Sequence, residues 1–266
     1  MHYIIMNIYE AVLEINSKIP NVEKMIGLWK VEQAIDNNKS FIVPSFIFYS
    51  YYEKYINKID DSLLGLPYKN LDFIHSLFVW SMNPRIVVVS ESVMDFIYQT
   101  SLLDYISPEL LFAFPSQAIL VNQKFGNYDG ILFCKDCLDE GIANQYSLNI
   151  SLFSNDGRYS KYFSIPLPTV EKFNPFQDLK AIPDWGNIAF VFYVLLYVLS
   201  EFLHKQDVIT QNGTDYLGFR FEEKIEQHKF KEGKWRKAHW HTYKEKLPNG
   251  RERKLIKWIQ PIWMND

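Results

Sequence analysis

From Ile188 to Leu199 the chain runs through twelve apolar residues without a break, IAFVFYVLLYVL, between Pro183-Asp184 and Ser200-Glu201-Phe202-Leu203-His204. A helix that is apolar on every face has no side to offer to water, so protein or lipid must surround it. Spanning lipid takes roughly 18 or more such residues. Residues 187–204 are therefore expected to form the central buried helix of a soluble fold, with no membrane partner. The surrounding layers must come from the rest of the 266 residues, of which 48% are apolar and 17% aromatic, enough for one sizeable core or two small ones joined closely, and too much for a disordered chain. The start, Met1-His2-Tyr3-Ile4-Ile5, lacks the basic region of a secretory signal, and two cysteines suggest no disulfide framework, so the expected setting is the cytoplasm.

Before that helix the chain changes texture. Ile4, Ile5, Ile8, Ala11, Val12 and Ile15 share one helical stripe, and Val22, Met25, Ile26 and Trp29 form another after Asn21, a candidate cap. Ser45 to Ile56 is aromatic-rich and reads as helix rather than strand; Leu71 to Val79 predicts a helix ending near Asn83-Pro84. Ile86 to Val89 is too short to classify. Ser90 or Ser92 is expected to cap a helix that turns Met94, Ile97 and Tyr98 inward.

Past Ser107-Pro108 short β-like runs take over, at Ala118 to Val121 and Ile131 to Phe133. Leu148, Ile150 and Leu152 alternate with polar residues, Asn155-Asp156-Gly157 turns the chain, and Tyr159 to Ile165 returns until Pro166 and Pro168 end the pairing. Gln211-Asn212-Gly213 reads as a loop tip and Glu222 to His228 as a short exposed helix. A last hairpin follows: Ala238 to Lys244, a Pro248-Asn249-Gly250 turn, and Lys254 to Ile259. The expected fold is α+β, a single unit over 1–266. Residues 1–107 would be mostly helical; 108–266 would hold a mainly antiparallel sheet, the buried helix and the hairpin at 236–260.

Few motifs for catalysis are present. Neither GxGxxG nor GxxxxGK[ST] occurs, and zincin and nucleophile-elbow motifs are absent, so no cofactor and no enzyme activity are expected. Cys134-Lys135-Asp136-Cys137 has the spacing of a metal or redox pair, and His239 and His241 would complete a zinc site; two structural thiols are the plainer reading. His75, among Phe and Leu, reads as a core histidine. Tyr193 and Tyr197, four apart on the apolar helix, either line a pocket or bond to backbone carbonyls.

Charge is unevenly spread. Lys229 to Lys257 holds eleven Lys/Arg against three Glu, a balance of +8, which leaves −11 for the rest of a chain whose net charge is −3. Within it, strand alternation puts His239, His241 and Tyr243 on one face of the hairpin and Trp240 and Thr242 on the other. Such rings with polar edges suit a peptide or unpaired bases, and Arg236, Lys237, Lys254 and Lys257 suit RNA or an acidic partner. The alternative is a packed hairpin with a basic rim.

Arg236-Lys237-Ala238-His239-Trp240-His241-Thr242-Tyr243, a polar turn, and Lys254-Leu255-Ile256-Lys257-Trp258-Ile259-Gln260-Pro261 resemble the end of a type V-A anti-CRISPR family, the second described in its class. The likeness is one of residues over this hairpin and of layout elsewhere, and it departs at Lys244 and Glu245, where the family has an aromatic and a basic residue. It implies a non-enzymatic protein that binds the N-terminal segment of a type V-A CRISPR nuclease as a nascent chain, near ribosome or mRNA, and promotes destruction of the message. His239, Trp240, His241, Tyr243, Trp258, Tyr193 and Tyr197 would then be the peptide contacts. Two further readings stand beside it: a single-stranded RNA-binding protein using the basic hairpin, and a metal-dependent enzyme using Cys134, Cys137, His239 and His241.

Overall fold

The computed structural model describes residues 45, 48–49, 71–100, 116–124, 128–137, 146–154, 159–167, 190–229, 232–246, 250 and 252–264. The expected helices at 3–17 and from Val22 to Trp29 lie outside them. In chain order the elements are α1 (Leu71–Met82), β1 (Ile86–Val89), α2 (Glu91–Gln99), β2 (Ala118–Val121), β3 (Tyr128–Cys137), β4 (Tyr146–Ser154) and β5 (Tyr159–Leu167). They continue with α3 (Phe190–His204), β6 (Val208–Gln211), β7 (Thr214–Leu217), α4 (Phe219–His228), β8 (Lys234–Arg236), β9 (His239–Lys246), β10 (Glu252–Ile259) and β11 (Ile262–Met264). The fold is α+β with mainly antiparallel pairing, and contacts gather it into two units, Met1–Ile86 with Ser116–Leu167 and Val87–Pro115 with Pro168–Asp266.

In the first unit, β5, β4, β3 and β2 lie side by side, all antiparallel, with Ile131 across from Leu152 and Ile150 across from Phe163. Helix α1 packs on β2, β3 and β4 through an apolar face that includes Phe73, Leu77 and Trp80, all fully buried. It ends before Asn83-Pro84 as expected, and Ser45, Phe48 and Tyr49 are helical. His75 is buried in α1 with its ring 5.6 Å from Phe48.

The alternation along β4 suggests one wet face, yet Ser147, Asn149 and Ser151 are as buried as Leu148, Ile150 and Leu152. Buried polar groups need partners. The Asp136 carboxylate accepts hydrogen bonds from the Ser45 backbone N–H at 2.9 Å and from Asn149 Nδ2 at 3.4 Å, and Ser147 Oγ donates to Asn149 Oδ1. Pro166 does not end the pairing, because it sits opposite Ser147 in β5, the outer strand, where a missing N–H leaves no gap in a ladder.

The second unit is built around α3, whose residues from Val191 to Glu201 are buried except for half-buried Tyr193. Its neighbours are α2 and β10, and α4 packs on α2. Strand β1 lies beside β7, which pairs antiparallel with β6 through a turn whose Asn212 and Gly213 have φ of 50° and 76°, the left-handed pair such hairpins require. Among the described residues no helix is long and apolar enough to cross a membrane.

Two expectations at α2 are corrected. Ser90 occupies the cap position but its hydroxyl makes no capping bond, and Ser92 Oγ donates to Glu222 Oε1 at 2.9 Å instead. Tyr98, expected to turn inward, is 41% exposed, since the buried stripe follows Val93, Met94 and Ile97 one step round the helix.

The start of α4 is capped from a distance. Gly218 precedes it at φ 80°, with no side chain to cap the helix. Asp207 supplies the missing oxygen: its carboxylate accepts from the backbone N–H groups of Arg220 at 3.1 Å and Phe221 at 2.8 Å, and its carbonyl accepts from Gly218 N–H. A negative group at a helix N-terminus also meets the positive end of the helix dipole. A Cβ at Gly218 would lie 2.6 Å from Val93 Cγ2 and 2.9 Å from the Tyr197 hydroxyl. Gly218→Ala is therefore expected to destabilise the protein by about 1–3 kcal/mol, from the left-handed backbone and the crowding together, as read by urea denaturation.

Candidate binding site on the C-terminal hairpin

Strands β9 and β10 pair with Trp240 opposite Trp258, His241 opposite Lys257 and His239 opposite Ile259. Alternation then divides them: Trp240 and Trp258 share the inner face, while His239, His241 and Ile259 share the other. Burial agrees, with Trp258 at 0% and Trp240 at 8% exposure and both histidines exposed.

The far edge of β10 would present bare backbone groups, and α3 covers them. Trp258 N–H donates to Ser200 Oγ at 2.8 Å, and His204 Nε2 lies 3.0 Å from the Ile256 carbonyl. The Tyr243 hydroxyl lies within hydrogen-bond distance of the His204 ring, 3.1 Å from Nδ1 and 3.0 Å from Nε2, which ties β9 to the same helix. Trp258 adds an edge-on contact with Tyr197 at 5.1 Å and an indole N–H to Thr100 Oγ1 at 3.4 Å.

On this support the strand ends and the turn after β10 enclose a cleft of about 320 Å³, lined by Arg236, Lys237, His239, His241, Ile259, Gln260 and Ile262. No acidic side chain is among them. The cleft thus combines two permanent cations and two imidazoles with two aliphatic side chains, a setting for an anionic group beside an apolar one.

The structure sorts the expected contact residues. Arg236, Lys237, His239 and His241 come together in the cleft. Lys257 is half-buried on β10, and the side chain of Lys254 lies outside the described residues. Trp258 and Tyr197 are corrected: both are 0% exposed, held in the core by their own edge-on contact, and present no surface to a peptide. Trp240 is buried too, with an indole N–H that finds no partner, and the Tyr243 hydroxyl is committed to His204. Tyr193 is half-buried, its ring 6.3 Å from Tyr98. Ile259, Gln260 and Ile262 were not singled out as contacts by the sequence, although Pro261 between them signals the turn that brings Ile262 over Arg236.

Of the residues in the metal reading, Cys134 is buried on β3, and the side chain of Cys137 lies outside the described residues. Burial pushes the Cys134 thiol far above its ordinary range, which keeps it protonated. Among the described residues no group of three or more His, Cys, Asp or Glu side chains is placed to hold a metal.

The crystal structure of AcrVA2 superposes on this fold over 100% of this chain and 100% of that one, with a TM-score of 0.65 and 14% sequence identity. The chain shares the AcrVA2 fold. AcrVA2 is a type V-A anti-CRISPR protein, the class whose ending the hairpin resembles. At 14% identity the likeness to AcrVA2 is one of fold. No protein-family model matches the chain, and no curated protein matches it in sequence.

Beneath the hairpin lies a buried acid. Glu201 is fully buried in α3; its Oε2 accepts from Asp207 N–H at 2.8 Å, and its Oε1 finds no partner. Burial raises its pKa from 4.5 to about 7, aided by the Asp207 charge and opposed by the Asp207 N–H and by Lys257. A carboxyl whose folded pKa is raised stabilises the fold while protonated, and loses that contribution as pH climbs from 4.5 through about 7. Glu201→Gln, which keeps an acceptor for Asp207, is expected to flatten this pH dependence and to raise stability at pH 8 by about 1–3 kcal/mol in denaturant titrations.

Proposed function

We propose that this chain is an anti-CRISPR-like binding protein that recognises the nascent N-terminal segment of a type V-A CRISPR nuclease and lowers expression of the nuclease by promoting degradation of its message. The observation that carries this reading is the end-to-end likeness of fold to AcrVA2. The cleft supports it at the residue level, since the basic and histidine positions of the resembling motif, Arg236, Lys237, His239 and His241, are the ones that line it. Recognition is the whole of the chain's chemistry in this reading. The protein works in the cytoplasm, where translation exposes the peptide, and host nucleases cut the message.

The test is a pull-down of the protein from cells translating a type V-A nuclease, with bound peptides and RNAs identified before and after puromycin releases nascent chains. Enrichment of the nuclease message that puromycin abolishes is expected. Enrichment indifferent to puromycin, with affinity falling log-linearly as salt rises, would put single-stranded RNA binding in its place. Because His239 and His241 are exposed and outside the core, replacing both with Ala should shift stability by no more than about 0.5 kcal/mol. The same double variant should lose nuclease silencing in cells; silencing that survives it would remove the hairpin from the binding site.

A further inference from the structure

Strands β8 and β11 form a short ribbon in which Ile262 pairs with Arg236, Trp263 with Trp235 and Met264 with Lys234. Paired residues share a face, as do residues two apart, so the ribbon has two distinct sides. Trp235 and Trp263 make one side. Their rings meet at 5.3 Å and both pack against His228, at 5.7 Å and 5.1 Å, while Trp235 also meets Phe221. This side is the anchor. The other side carries Lys234, Arg236, Ile262 and Met264, all exposed, with Ile262 at 53% and Met264 at 37%.

That outward side runs into the cleft through Arg236 and Ile262, which belong to both. The result is one continuous surface with its chemistry in two rows: cations at Lys234, Arg236 and Lys237, aliphatic groups across from them at Ile262 and Met264, with Ile259 in the cleft. Resting on the nascent-peptide reading, we infer that this surface selects an extended peptide segment in which Asp or Glu side chains alternate with apolar ones. The carboxylates meet Arg236 and its neighbouring lysines, and the intervening apolar side chains cover Ile262 and Met264, which bare water disfavours. An extended chain lying along the ribbon sends alternate side chains to opposite sides, so one set reaches the cation row on β8 and the other the aliphatic row on β11. Single-stranded RNA matches less well, because it needs exposed aromatic planes for its bases and the ribbon turns both tryptophans toward its anchoring side.

The experiment is fluorescence polarisation with the full chain and labelled peptides tiled over the N-terminal segment of a type V-A nuclease. Each has a counterpart in which Asp and Glu become Asn and Gln. An unrelated Glu-Val alternating peptide and oligouridine complete the set. The binding peptides are expected to carry acidic residues, and their neutral counterparts to bind about tenfold more weakly. Arg236→Glu with Lys237→Glu, and separately Ile262→Ser with Met264→Ser, should each cause a loss of the same order without changing the melting temperature, as all four side chains are exposed. Equal binding of the neutral counterparts, failure of every peptide to bind, or tighter binding of oligouridine overturns the inference. Binding of the Glu-Val peptide with no nuclease peptide bound upholds the surface chemistry and overturns the nuclease as its source. Binding of a nuclease peptide regardless of its acids does the reverse.

Discussion

The second unit depends on how one apolar helix ends. Helix α3 is buried nearly all round, and apart from the Tyr193 and Tyr197 hydroxyls its apolar run has no side-chain polar atoms with which to hold its neighbours. Its last turn supplies them. Ser200 and His204 take up the backbone of β10, and Glu201 takes up the N–H of Asp207, whose carboxylate in turn caps α4. Three consecutive jobs within five residues mean that helix, hairpin and second helix share one set of hydrogen bonds, each in a place where an unpaired group would cost about 1–3 kcal/mol.

The cleft is a by-product of that arrangement. Because β10 is pinned along its far edge, its end is fixed, and the turn at Pro261 then folds β11 back over β8. The strands that carry exposed groups such as His239 and Arg236 are thereby held in place from within. A backbone fixed in advance would lose less entropy on binding than a loose one.

Much of this was legible in the residues. The uninterrupted run at Ile188 read as a buried helix because it is too short to span lipid, and the hairpins around Asn155-Asp156-Gly157 and Pro248-Asn249-Gly250 were marked by turn chemistry flanked by strand formers. The short ribbons escaped for a physical reason: β6, β7, β8 and β11 have three or four residues each, too few to show a period, although Asn212-Gly213 between Val208-Ile209 and Tyr216-Leu217 was the signal for one of them. At the cleft, the sequence placed His239 and His241 together because strand alternation puts them on one face, while nothing in it showed that Arg236 and Lys237 would close on Ile262. Trp258 and Tyr197 were misassigned because an aromatic ring looks the same in a sequence whether it packs or binds, and only the neighbours decide. The cap at Asp207 was out of reach, as its carboxylate meets backbone N–H groups 13 and 14 residues further on by a contact no local pattern encodes.

The groups that hold the hairpin and the groups that line its cleft are different residues. Ser200, His204, Tyr243 and Trp258 do the holding from inside, and Arg236, Lys237, His239, His241 and Ile262 face out. The frame therefore does not draw on the side chains of the second set. A fold built this way can keep one architecture while its exposed residues diverge, as two chains with 14% identity and a shared fold do.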